Sequence, residues 1–237
     1  MGSPEPVRVG RSPVEDGMTS ETVVTSALLD LARAAALVGA SWALVGGQAL
    51  IAYGVPRETL DADALVDHGM LGAFANVLVD TFGWTPVVYD EGSEDYVESA
   101  EVAVHFMDDP VLFDVAQERQ MVPLRSPLGL PVELLAAQHP IEQEMVSVAA
   151  QRQFHGVLVP IAPLGGILLV KTKADRSKDV AAIEQAGEHL SANQVQEAIA
   201  WAKRRDEATA DDLRAILTAA RVRRAPRRTT AYVKAKK

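Results

Sequence analysis

The sequence predicts an α+β protein, a mixed β-sheet flanked by helices and followed by a helical C-terminal region. Three observations carry that expectation. Over the first half of the chain, short apolar runs alternate with segments whose apolar residues recur at helical spacing. The link Met107-Asp-Asp-Pro110 joins two strand-like runs with turn residues at hairpin length, so part of the sheet is antiparallel. After about residue 125 the texture changes, and the closing part of the chain reads as successive helices.

Residues 1–20 are rich in Pro, Gly and Ser without periodicity, which predicts a disordered leader. Val24, Leu28, Leu29, Leu31, Ala35 and Leu37 fall at helical spacing, giving a helix from Thr22 to about Val38 that Gly39 stops. Trp42–Val45 reads as a short buried strand, Gly46-Gly47 as a turn, and Gln48–Tyr53 as a helical segment closed by Gly54. A strand over Leu60–Val66, a helix over Met70–Phe82 and a strand over Trp84–Tyr89 follow, and "DEGSED" reads as a solvated acidic loop. Glu101–Phe106 and Val111–Val115 are the two arms of the hairpin.

Val132–Arg152 is expected to be helical with a break near Pro140, and Gly156–Ile161 to be the last strand. Helices are then predicted over Leu164–Ala174, Lys178–Leu190, Asn193–Arg205 and Asp211–Arg221. Ser191 with Gln194 forms a capping box, and Thr209 with Asp212 its acidic analogue. The expected organisation is a leader over 1–20, a sheet domain over 21–125, a mostly helical region over 126–220 and a basic tail over 221–237.

Composition narrows the chemistry. With 237 residues the chain can bury a sizeable core in one domain or two small ones. The absence of cysteine excludes disulfides and thiolate catalysis, and argues against structural zinc. No apolar run is long enough to cross a bilayer and no secretory signal opens the chain, which predicts a cytoplasmic protein without a membrane partner. The net charge of −9 is uneven: the last 17 residues hold 8 of the 23 basic residues and no acid, leaving residues 1–220 at −17. That tail reads as a solvated, disordered segment or as an arm for nucleic acid, whose phosphates exchange counterions for Arg and Lys.

The stretch Leu44–Val66, "LVGGQALIAYGVPRETLDADALV", raises the chemical question. Period-two geometry puts Asp61 and Asp63 on one face of their strand, with Ala62 on the other. Carboxylates crowded this way repel unless a cation neutralises them, and a hard divalent ion such as Mg²⁺ prefers oxygen ligands. Gly46-Gly47 lies between a strand and a helix start, where backbone N–H groups and the helix dipole favour an anion. An anion site and a cation site joined by one helix and one strand together suit a nucleoside triphosphate with its metal. Asp114 is a third candidate acid, since it interrupts the otherwise apolar "VLFDVA". The five histidines are scattered without metal-ligand spacing, and there is no Walker A loop, Rossmann fingerprint or nucleophile elbow.

The stretch resembles the nucleotidyltransferase superfamily of the DNA polymerase β type, which carries a hydrophobic residue, Gly, Gly or Ser, about a dozen residues, then Asp-hydrophobic-Asp. Here those positions are Val45-Gly46-Gly47, a thirteen-residue spacer and Asp61-Ala62-Asp63. It looks more specifically like the minimal and AbiEii-type bacterial nucleotidyltransferases, with Ala49 and Gly54 on the helix and Arg57 and Thr59 ahead of the acids. "LLVKTKADRSKDVAAI" is similar to the helix-turn-helix that follows the catalytic domain in that group.

The resemblance implies transfer of a nucleoside monophosphate from an NTP to a hydroxyl, with two Mg²⁺ ions held by Asp61, Asp63 and Asp114. It implies Gly46, Gly47, Gln48 and Arg57 at the nucleotide, Lys171 reaching the triphosphate, and Arg176 and Lys178 in the turn between helices. The acceptor it implies is RNA, such as a tRNA end, or a protein, with an antitoxin partner in a toxin–antitoxin system. Two alternatives remain: an aminoglycoside- or lincosamide-modifying nucleotidyltransferase, and a non-catalytic nucleotide- or partner-binding module. The chain departs from the family at Gln48, where many members place Ser or Thr near the second Gly, and at Ala64, smaller than the usual aliphatic residue.

Overall fold

A computed structural model describes residues 19–59, 61–90, 95–98 and 121–224. Helix α1 (Ser20–Val38) begins where Thr19 accepts from the Thr22 N–H, and ends at Gly39 in the left-handed conformation. Strand β1 (Trp42–Val45) is buried throughout and runs directly into the short α2 (Gly46–Ala52). Strand β2 (Ala62–Asp67) and a single 3₁₀ turn lead to α3 (Leu71–Phe82), closed by Gly83 at φ 71°. Strands β3 (Thr85–Asp90) and β4 (Asp95–Glu98) follow, then β5 (Met121–Arg125) and β6 (Pro131–Ala137). Helix α4 (Pro140–Ser147) precedes the β7 (Ala150–Phe154) and β8 (Val157–Ile161) hairpin. Four helices complete the described chain: α5 (Leu164–Ala174), α6 (Ser177–His189), α7 (Ala192–Lys203) and α8 (Glu207–Arg224).

Among the described residues the strands form one mixed sheet in the order β4-β3-β5-β6-β2-β1-β8-β7. β2 lies at its centre, antiparallel to β1 and parallel to β6, while β1 and β8 are parallel. Helices α1 and α3 pack on one another and against β8 and β6, burying Leu28, Leu31, Phe74 and Leu78 with Leu44, Leu134 and Ile161. This is the α+β arrangement the sequence predicts.

The chain divides into two compact units. The first runs to Tyr53 and from Arg57 to Pro163, and contains the whole sheet. The second comprises Gly54–Pro56 and the chain from Leu164 onward. In it, Gly187 lets α6 approach α8 so closely that an added Cβ would stand 2.9 Å from the Leu217 carbonyl. Gly165 does the same between α5 and α7.

Several expectations need correction. The helix predicted over Val132–Arg152 is strand β6, helix α4 and strand β7. Val132, Leu134 and Ala136 are buried while Pro131, Glu133 and Leu135 are half-exposed, a period of two that pairing with β2 and β5 enforces over the helix propensity of "ELLAA". The helical run therefore sets in at Leu164, and the β5–β6 hairpin spans the position near 125 where the texture changes. Helix α8 starts before Asp211 because the Asp206 carboxylate accepts from the Thr209 N–H at 3.1 Å. The capping box of Ser191 and Gln194 is formed as expected. The predicted hairpin strands over 101–115, Asp114 with them, and residues 225–237 lie outside the described residues.

Candidate active site

The two glycines and the two acids come together at the centre of the sheet. Gly46 opens α2 at φ +64°, a conformation that disfavours any side chain, and a Cβ there would fall 1.6 Å from Oδ2 of Asp63. Gly47 is constrained by contact alone: an added Cβ would lie 2.8 Å from Oγ1 of Thr59. Each glycine is thus the seat of one side chain from the segment that carries the acids. Register explains the first contact, since Val45 stands opposite Asp63 and Gly46 is the next residue. Where the sequence alone suggests a turn bare for phosphate, the structure adds a packing reason for both positions.

Asp61 immediately precedes β2, and 61, 62 and 63 alternate half-exposed, buried, half-exposed, so both carboxylates lie on the face opposite Ala62. The Thr59 hydroxyl donates to Oδ1 of Asp61. From α2, Nε2 of Gln48 donates to the Asp61 carbonyl at 3.3 Å. Gln48 is only 3% exposed, yet its Oε1 has no hydrogen-bond partner among the described residues, and neither has the buried Nε of Arg57. Orphaned buried polar atoms cost on the order of 1–3 kcal/mol each, so an acceptor and a donor left open in the segment 48–61 call for an explanation.

A further acid belongs to this face, and the helical reading of Val132–Arg152 concealed it. Glu133 of β6 is registered beside Asp63 of β2, and its half-exposed position matches that of Asp63. Residues paired in register on adjacent strands share a face. The signal in the sequence is a lone acid within the apolar run "LPVELLAA", the same kind of signal that singles out Asp114.

The donor set is all oxygen, which suits a hard divalent cation. Asp61 and Asp63 are the pair that could contribute to holding one, with Glu133 in register beside Asp63, and the Asp63 carboxylate itself fills the space that a side chain at Gly46 would take. Among the described residues no three carboxylate or imidazole side chains are grouped closely enough to hold a metal ion. The oxygen donors of Asp61 and Asp63 suit a hard divalent cation as a pair, the number of carboxylates such an ion takes when substrate phosphates supply the other ligands.

Lys171, Arg176 and Lys178 all lie in the second unit. Nζ of Lys171 pairs with Oδ1 of Asp179 at 2.7 Å, and Nε of Arg176 with Oδ2 at 2.6 Å. Asp179 is 1% exposed. Burial pushes its carboxyl up, but the hydrogen bonds and charges of Lys171 and Arg176 outweigh that and hold it below the ordinary carboxylate value. Lys178 is exposed. No described helix is long and apolar enough to cross a membrane.

No family model matches this chain, and no curated protein does. Among solved structures it is similar to the antibiotic-resistance factor ANT(2'')-Ia in solution, at 14% identity over 82% of this chain and 99% of that one, with a TM-score of 0.47. A crystal structure of ANT(2'')-Ia in complex with adenylyl-2''-tobramycin matches at 14% identity, covering 88% of this chain and 100% of that one, with a TM-score of 0.42. An antigenic nucleotidyltransferase-like protein from Paracoccidioides brasiliensis matches at 16% identity over 84% and 93% of the two chains, with a TM-score of 0.44. All three likenesses are distant.

Proposed function

We propose that this chain is a nucleotidyltransferase, moving a nucleoside monophosphate from a nucleoside triphosphate to a hydroxyl acceptor. One observation carries the reading: the Asp63 carboxylate occupies the space that a side chain at Gly46 would fill, so glycine turn and acid pair are one packed unit.

In the reaction the acceptor oxygen bonds to the α-phosphorus, the bond from that phosphorus to the β-bridging oxygen breaks, and pyrophosphate leaves. Bound divalent metal would supply charge stabilisation for the attacking and leaving oxygens. Asp61 and Asp63 provide the carboxylates that hold it. Glu133 is the third carboxylate, a role the resemblance assigns to Asp114, and it receives the proton of the attacking hydroxyl. The first-turn N–H groups of α2 have no intrahelical carbonyl to meet and take the phosphate tail, with Arg57 adding positive charge. Lys171, Arg176 and Lys178 are linked to the nucleotide by the resemblance alone.

The test is transfer of label from α-labelled NTPs in the presence of Mg²⁺, offering total tRNA, an aminoglycoside panel and the protein itself as acceptors. Asp63→Asn should lower transfer by about a hundredfold or more, the scale for removing one preorganised charge-stabilising group. Glu133→Gln should match it; a loss confined to Asp114→Asn would reassign the third acid. Transfer to tRNA would support the AbiEii-type reading, and transfer to an aminoglycoside the drug-modifying one. Nucleotide binding without transfer to any acceptor would leave a binding module.

A further inference from the structure

We propose that Thr59 and Gln48 are positioning residues for Asp61, one holding its carboxylate and the other its carbonyl, so that the carboxylate keeps one orientation toward a cation. The proposal rests on the nucleotidyl-transfer reading. It starts from the contacts of one short segment. The Thr59 hydroxyl donates to Oδ1 of Asp61, and its Cβ and Cγ2 fill the space over Gly47, where an added Cβ would come within 3.1 and 3.2 Å of them. The hydroxyl is therefore locked by packing. Gln48, from the first turn of α2, donates to the Asp61 carbonyl at 3.3 Å.

The chemical consequence follows from the inventory of a carboxylate. The Thr59 hydroxyl takes one lone pair of Oδ1 and so orients the carboxylate, while the remaining lone pairs, both of Oδ2 among them, stay open to a cation. Groups that orient a metal ligand in this way change metal affinity by about 10- to 100-fold when removed. Gly47 acquires a role distinct from phosphate contact, as the seat that keeps Thr59 in place.

The experiment is a Mn²⁺ titration of the full chain without nucleotide, followed by electron paramagnetic resonance, on the wild type, Thr59→Val, Thr59→Ser and Gly47→Ala. Thr59→Val should bind Mn²⁺ about tenfold more weakly, and Thr59→Ser should stay close to the wild type because the donor is retained. Gly47→Ala should reproduce the Val result by displacing Thr59, and it serves as the second variant if Thr59→Val does not fold. Equal losses in the Val and Ser variants would overturn the proposal in favour of methyl packing, as would wild-type affinity in Thr59→Val. A metal-free arm separates this idea from the reading beneath it. The Asp61 ¹³Cγ resonance should move in Thr59→Val and not in Thr59→Ser. If the wild type bound no Mn²⁺, the metal-dependent reading would fall, while an unmoved Asp61 resonance would overturn the positioning role itself.

Discussion

Gln48 is a buried amide with only one of its two polar atoms partnered among the described residues. Its Oε1 is left without a donor, while Nε2 makes one long hydrogen bond to the Asp61 carbonyl. Gln48→Met keeps the volume, removes the orphan acceptor and sacrifices that bond. Relief of an unsatisfied acceptor is worth about 1–3 kcal/mol, while losing the bond costs about 0.5–1.5 kcal/mol and up to about 3 kcal/mol where the Asp61 carbonyl is left unpaired, so the two effects offset one another. Gln48→Met should therefore leave Tm within a few degrees of the wild type and lower nucleotide transfer, measured by thermal denaturation and by the labelled-NTP assay. A larger fall in Tm would make the amide a structural brace. Residue by residue, the site was partly legible: the spacing from Gly46-Gly47 to Asp61 and Asp63 needs only the linear sequence. Which side chain sits on which glycine was not, because that depends on the register of β1 against β2.

Between elements, the joint between α5 and α6 rests on Asp179. Its carboxylate, 1% exposed, takes Lys171 from one helix and Arg176 from the turn before the other, and the Lys171 side chain is itself 15% exposed. Deleting the buried carboxylate leaves Lys171, at 15% exposure, without its partner, while Arg176, 61% exposed, can turn to water, so the loss falls below the figure of about 3–5 kcal/mol for a fully buried pair. Asp179→Ala should lower the stability of the full chain by about 1–3 kcal/mol in denaturant titration. The joint is also acid-sensitive. Because the folded carboxyl sits below its ordinary value, its contribution is fully present above the unfolded pKa, about 3.9, and is lost as pH falls through the lower folded value. The stability difference between wild type and Asp179→Ala should stay constant from pH 7 to about 5 and shrink below about 4. At this scale legibility followed the strength of periodicity. The helices α5 and α6 announce themselves by spacing, whereas β6 is built from helix-favouring residues and β7, "AQRQF", is four-fifths exposed with no apolar alternation to betray it. Misreading β6 hid Glu133, so an error about an element became an error about the site.

For the whole molecule, the distribution of charge sets the last test. Three of the basic residues assigned to a tail belong to α8: Arg221 donates to the Leu190 carbonyl at 3.0 Å, and Arg223 pairs with Glu184 at 2.7 Å, with Arg224 closing the helix. The expectation of a free basic segment from residue 221 is corrected to that extent, and five basic residues remain beyond it, Arg227, Arg228, Lys234, Lys236 and Lys237. Their sequence pattern suits phosphate contact, while the acidic remainder of the chain suits a cationic acceptor. Salt dependence separates the two. Each phosphate neutralised on a single strand contributes about −0.7 to the slope of log K against log salt, so removing residues 225–237 should reduce the magnitude of an RNA-binding slope by up to about 3.5. Binding of a cationic drug at the Asp61 and Asp63 face also weakens with salt, but its slope should be the same with and without those residues. Filter binding of tRNA and calorimetry of an aminoglycoside, each at several salt concentrations on the full and shortened chains, provide the four slopes. A tRNA slope unchanged by the deletion would exclude the tail from nucleic-acid contact and leave any RNA binding to the folded units.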